Sequence, residues 1–149
     1  MITEDYVSFE TAKLLKEKGF REWCSYCYGL DVRYKGESID QDEEFELKEE
    51  GKEGELEYVE GGRLYNFGCD NREEGSPYSA PSLYVAIKWL REKFNIHIEP
   101  RYFPTPNIYR YVIIHSPMTI QNIDSHPQYF NSYEEACEAA IKYCLENLI

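Results

Sequence analysis

The spacing in this chain that most readily suggests chemistry is Trp23-Cys-Ser-Tyr-Cys27, two thiols three positions apart. Dithiol redox chemistry needs the first cysteine at a helix N-terminus, where the dipole stabilises a thiolate. Here the pair follows a helical stretch, and Tyr28-Gly29 leads into extended chain. In a strand, Cys24 and Cys27 are expected on opposite faces, so they read as two ordinary strand cysteines. Zinc is no better served. One Cys-x-x-Cys supplies two ligands, no second pair stands at metal-ligand spacing, and Cys69, His97, His115 and His126 are scattered. Cys137 and Cys144 lie on an apolar helical stripe, where cysteine acts as a small hydrophobe. Asp124-Ser-His126 has the residue types of a general base, but no nucleophile stands beside it and it reads as a solvated loop. No catalytic residue, metal or cofactor is expected.

Two other features point to recognition. Residues 40–60 hold eleven acids and two bases, a net −9 of the chain's −12. Asp40-Gln-Asp42-Glu-Glu44 offers hard oxygen ligands but lacks the glycine and closing glutamate of a calcium loop. Asp42, Glu43, Glu44 and Glu46 are therefore candidate interaction residues on a solvated acidic hairpin. Tyrosine is abundant, at 14 residues, and it is enriched at protein interfaces because it combines area with a polar tip. Tyr102, Tyr109 and Tyr111 are the candidates there.

The elements that must carry these residues follow from periodicity. Over 8–18, Phe9, Ala12 and Leu15 give an apolar side, Ser8 an N-cap, and Gly19-Phe20 a left-handed C-cap. Over 80–94, Leu83, Ala86, Ile87, Leu90 and Phe94 form one helical face, with Ser79 or Ala80 as cap, Pro81 in the first turn and Trp89 at the margin of the core. Over 132–148 the apolar stripe runs without a miss from Tyr133 to Leu148, behind a capping box of Ser132 and Glu135. Strands are expected at 23–34, with a kink at Gly29, and at 96–99, where Pro100 makes an edge or a break. Residues 108–115 carry apolar groups on both faces and read as a central strand, with a short strand near 118–120. Two more strands, about 43–48 and 55–60, and a Gly61-Gly62 turn into 63–67 complete the reading. The helices at 12–20 and 86–94 weakly echo one another.

The fold class expected is α+β: a single domain over 1–149, an antiparallel sheet with three helices packed on one face, and an acidic hairpin or loop insertion at about 36–62. A chain of 149 residues buries a core without metal or disulfide staples. The five cysteines are expected as free thiols, and no apolar run approaches a membrane span. The acidic N-terminus is unlike a signal peptide, which leaves a cytoplasmic location as the expectation. The net charge opposes direct nucleic-acid or anionic-membrane binding.

Three stretches carry a resemblance: Ile2 to Phe20, Tyr78-Ser-Ala-Pro with Lys88-Trp-Leu-Arg-Glu-Lys93, and Tyr133 to Leu148. Together they resemble a group of short uncharacterised proteins of gut anaerobic bacteria and their prophages. The resemblance covers the two ends and the centre, and leaves out the acidic stretch 35–70. That group has no assigned activity, so the resemblance implies a bacterial or phage origin and no catalytic residues. The function expected is a non-enzymatic interaction protein that binds a protein partner or forms a homodimer. The alternatives are an acidic decoy that mimics DNA towards a host DNA-binding protein, and a small enzyme with an unrecognised site.

Overall fold

The computed structural model describes residues 1–122 and 129–149. In chain order the elements are α1 (Phe9–Glu17), β1 (Cys27–Tyr34), β2 (Glu37–Ser38), α2 (Gln41–Glu49), a 3-10 turn (Glu53–Glu55), β3 (Leu56–Tyr65), β4 (Tyr78–Ser79), α3 (Leu83–Phe94), β5 (His97–Phe103), β6 (Ile108–His115), β7 (Met118–Gln121) and α4 (Tyr133–Asn147). The class is α+β, as the sequence indicates. It differs in detail, with four helices among the described residues and two antiparallel sheets in place of one.

In the first sheet β3 runs along one edge of β1 from Leu56 to Tyr65. The short β2 and β4, which pair with the two ends of β1, therefore share its other edge. The second sheet has the order β5-β6-β7, with β6 central. α4 packs on α1, α3, β5 and β6. The core draws Tyr28 and Tyr78 from the first sheet and Ile98, Tyr111 and Ile113 from the second.

α1 and α3 leave a common antiparallel bridge. Val7 donates to the Pro81 carbonyl and Leu83 to that of Asp5, each at 3.0 Å. Ser8 and Ser82 then cap the two helices, accepting from the N–H groups of Thr11 and Val85. α1 ends as its sequence dictates. Gly19 sits at φ +95°, and Gly19 and Phe20 return hydrogen bonds to Lys16 and Leu15, burying Phe20 completely. The cap of α3 is Ser82, not Ser79 or Ala80, because the bridge holds Pro81 outside the helix. Trp89, expected at the core margin, is buried edge-on between Phe20 and Phe94. Pro100 lies within β5, which is an edge strand and loses no ladder bond that matters there.

The acidic stretch is where sequence and structure part. The strand expected at 43–48 is helix α2. Asp40 accepts from the Glu43 N–H at 2.8 Å, three carboxylates occupy the first turn, and Lys48 pairs with Glu44 one turn back. Capping, dipole and i,i+4 pairing outweigh the even spacing of Phe45 and Leu47. Gly61-Gly62 is not a hairpin turn either. The strands expected at 55–60 and 63–67 form one strand, β3, whose register against β1 shifts between Tyr28 and Leu30. Gly61 belongs to that bulge, and a Cβ there would stand 2.8 Å from the Asp31 Cβ, so the close approach of the backbones requires glycine. The hairpin insertion is thus a β2–α2–β3 connection, and β3 is the main partner of β1.

Candidate functional site

α2 presents most of the candidate acidic residues. Asp42, Glu43 and Glu46 are exposed, and α2 buries none of its residues. Phe45 stands among them at 63% exposure. Glu44 is different. It turns inward and accepts from the Tyr58 hydroxyl at 3.3 Å, with Lys48 at 3.0 Å and Arg63 at 3.8 Å. The hydrogen bond with Glu44 pushes the Lys48 ammonium above its ordinary pKa. Arg63 also faces Asp31, which is close to Arg33 and accepts from Ser38. Glu44 is therefore the tether that holds α2 to β3, and the other three carboxylates face solvent. A cleft of about 450 Å³, lined by Asp40, Asp42, Arg63 and Tyr65, separates the start of α2 from the end of β3.

The tyrosine candidates divide. Tyr102 and Tyr109 face one another across β5 and β6 with ring centroids 5.0 Å apart, and Tyr102 is half exposed. Tyr111 is 3% exposed and stacks on Phe130. The β6 face bearing Tyr111 and Ile113 enters the core with the helices, so Tyr111 is a packing residue and only its neighbours reach the surface.

The cysteines are placed differently from the strand expectation. The strand starts at Cys27, and a bend at Ser25 lies between it and Cys24. Cys24 pairs with Cys69 through two backbone hydrogen bonds of 2.9 and 3.1 Å. Cys27 pairs with Ser79, whose hydroxyl lies 3.2 Å from the Cys69 sulfur. Cys24, Cys27 and Cys69 thus converge. Burial pushes the Cys24 and Cys27 thiols up to about 12, with the neighbouring Cys69 adding to both. Such thiols pack and do not attack. Cys137 and Cys144 are fully buried, and burial raises them to about 11 and about 12. Among the described residues no three Cys, His, Asp or Glu groups are arranged to hold a metal ion. Exposed His97 contacts Asn95 at 2.9 Å, and His115 is half-buried. Asp124 and His126 lie outside the described residues.

One further cleft, missed in the sequence, collects titratable groups. It measures about 320 Å³ between α1 and the loop before β4, and its lining includes Lys13, Lys16, Arg21, Arg72 and Tyr78. Lys16 donates to the carbonyls of Gly75 and Pro77 and lies over the Tyr78 ring, and burial lowers its pKa. Tyr78 donates to Glu60 at 2.6 Å, and Glu60 meets Lys13 at 3.3 Å. Burial and then Glu60 push Tyr78 up to about 12. Arg21 donates to the carbonyls of Lys16 and Phe20, and Arg72 pairs with Asp70 at 2.7 Å. These groups hold one another and clamp the loop to α1 and β3. No helix is long and apolar enough to cross a membrane among the described residues. No protein-family model, curated protein or solved structure matches the chain.

Proposed function

We propose that the chain is a non-enzymatic interaction protein, of bacterial or phage origin and acting in the cytoplasm, that binds a protein partner through the acidic face of α2 and β3. The observation that carries this reading is that α2 buries nothing. A nine-residue helix is too short to be stable alone in water, and ordering its backbone costs about 1–2 kcal/mol per residue. The fold bears that cost, with a dedicated cap and the Glu44 tether, for an element that adds nothing to the core. What α2 adds is a surface: an exposed phenylalanine with Asp42 one turn before it, on a helix whose Glu43 and Glu46 also face solvent. An aromatic anchor beside polar groups is the usual anatomy of an interface. Two copies of a face with a net −9 repel each other, which favours a different, basic partner over a homodimer on this face. The DNA-decoy reading is a narrower form of the same proposal, in which the partner is a nucleic-acid-binding protein.

The test is affinity capture from a lysate of an anaerobic gut bacterium, comparing the wild type with D42N/E43Q/F45A/E46Q. The variant keeps Asp40 and Glu44, and therefore the cap and the tether. The expected result is that proteins recovered by the wild type are lost with the variant. Identical recovery by both overturns the proposal. Competition by duplex DNA identifies the decoy case.

A further inference from the structure

This inference rests on the acidic face being the docking surface. We infer that the partner is received as an added β-strand: a basic, extended segment pairs with the outer edge of β3.

β3 is the longest strand, at ten residues, and β1 occupies its inner edge. Among the described residues no strand pairs with its outer edge. Among the described residues no other main-chain group hydrogen-bonds to residues 57–65. A free edge of that length presents a row of N–H and C=O groups, which proteins either blunt or use for strand addition. The edges of the second sheet are blunted. β5 contains Pro100, which lacks a donor, and β7 has four residues. β3 has no proline.

Charge selects the occupant. Glu57 on β3 and Glu55 in the turn before it are exposed, whereas Glu60 lies on the other face of the strand and is taken by Tyr78 and Lys13. Arg63, the one base in β3, is committed to Asp31 and Glu44. A second β3 brought alongside would set carboxylates against carboxylates, whereas lysines or arginines at alternate positions would meet them. Tyr58 and Leu64, at 43% and 38% exposure, offer apolar contact to the residues between. Backbone pairing supplies a site for an extended chain, and the charge excludes self-pairing at the same edge.

The probe is a synthetic peptide of about nine residues with lysine alternating with valine or threonine, long enough to match the strand. Its control is the same peptide N-methylated at alternate amides, which keeps the charge and removes one row of donors. Binding is measured by titration calorimetry, and amide exchange of β3 is followed by NMR. The expected result is that methylation weakens binding about tenfold or more, since charge alone is retained. Amides on the outer edge of β3 gain protection only with the unmethylated peptide, and E55K/E57K weakens it further. Equal binding of both peptides without protection of β3 overturns strand addition and leaves the acidic docking surface standing. Binding of neither peptide also overturns strand addition. The docking surface itself falls only if capture is unchanged by D42N/E43Q/F45A/E46Q.

Discussion

Truncation of one side chain separates a scaffold helix from a docking helix. Phe45 is 63% exposed, so it buries little more than a third of its surface. Full burial of such a side chain contributes roughly 1.5–3 kcal/mol, and a third of that is about 0.5–1 kcal/mol. Alanine is the better helix former by about 0.5 kcal/mol, which offsets most of the loss. Phe45→Ala should therefore change folding stability by no more than about 0.5 kcal/mol. Phe20→Ala, at a fully buried site, should cost about 3–5 kcal/mol. Urea unfolding measures both, with an unchanged m-value for Phe45→Ala. Binding should respond in the opposite sense. As an interface anchor, Phe45 should contribute about 2 kcal/mol or more, near thirtyfold in affinity for the captured partner. A folding loss above about 1.5 kcal/mol for Phe45→Ala would show that the ring packs in solution. α2 would then be scaffold and not a docking element.

Three further outcomes follow from the packing. Glu138 on α4 accepts from the Ser8 N–H at 3.1 Å and from the hydroxyls of Ser8 and Thr11. Glu138→Ala should cost roughly 2–3 kcal/mol in urea melts. Glu10→Gln, which breaks the exposed pair with Lys142 between the same helices, should leave the midpoint unchanged, and the reverse ranking would refute this account. The Tyr78 hydroxyl and then Lys13 hold the Glu60 carboxyl below its ordinary 4.5. A depressed carboxyl contributes stability above its unfolded value and loses it as pH falls through the folded one. Tyr78→Phe should therefore destabilise most at neutral pH, and the difference from wild type should shrink as pH falls below 4.5; a gap independent of pH would contradict it. Among the cysteines, Cys69 is the only one not fully or nearly fully buried. Ellman's reagent at pH 8 should label it first and reach the others only on unfolding, and Cys69→Ser should remove the fast phase. A fast phase that survives Cys69→Ser would count against the described burial.

The helices that pack were legible because burial imposes a period. Ala136, Cys137, Ala140, Ile141, Cys144 and Leu145 are buried at the expected positions of α4, and Leu83, Ala86 and Leu90 at those of α3. The central position of β6 and the edge position of β5 were legible from residue type alone. The convergence of Cys24, Cys27 and Cys69 was not, because it depends on a bend at Ser25 and on a partner more than forty positions away. Tyr111 was misplaced for a related reason. Alternation shows which residues share a face of β6, but not which face the helices cover.

The acidic stretch was misread for a deeper reason, and that reason bears on what it does. Periodicity is informative only where one side of an element is excluded from water. α2 has no such side, so Phe45 and Leu47 carry no pattern, and only the cap and the charge pairs mark the helix. An element without core obligations can change its outward residues without disturbing packing, provided that Asp40 and Glu44 remain to start and tether it. β3 has the complementary character. It is fixed by β1 along one edge, and among the described residues no strand pairs with the other. A fixed edge beside a helix that is free to vary sets a general backbone site next to a specific side-chain surface. In the proposed strand addition the edge would supply backbone pairing, and the carboxylates of β3 and α2 would select the chain that pairs. Exchange of Asp42, Glu43, Phe45 and Glu46 should therefore alter the choice of partner, while the melting midpoint moves only by the helix-dipole contribution of Asp42 and Glu43, about 0.3–1 kcal/mol each.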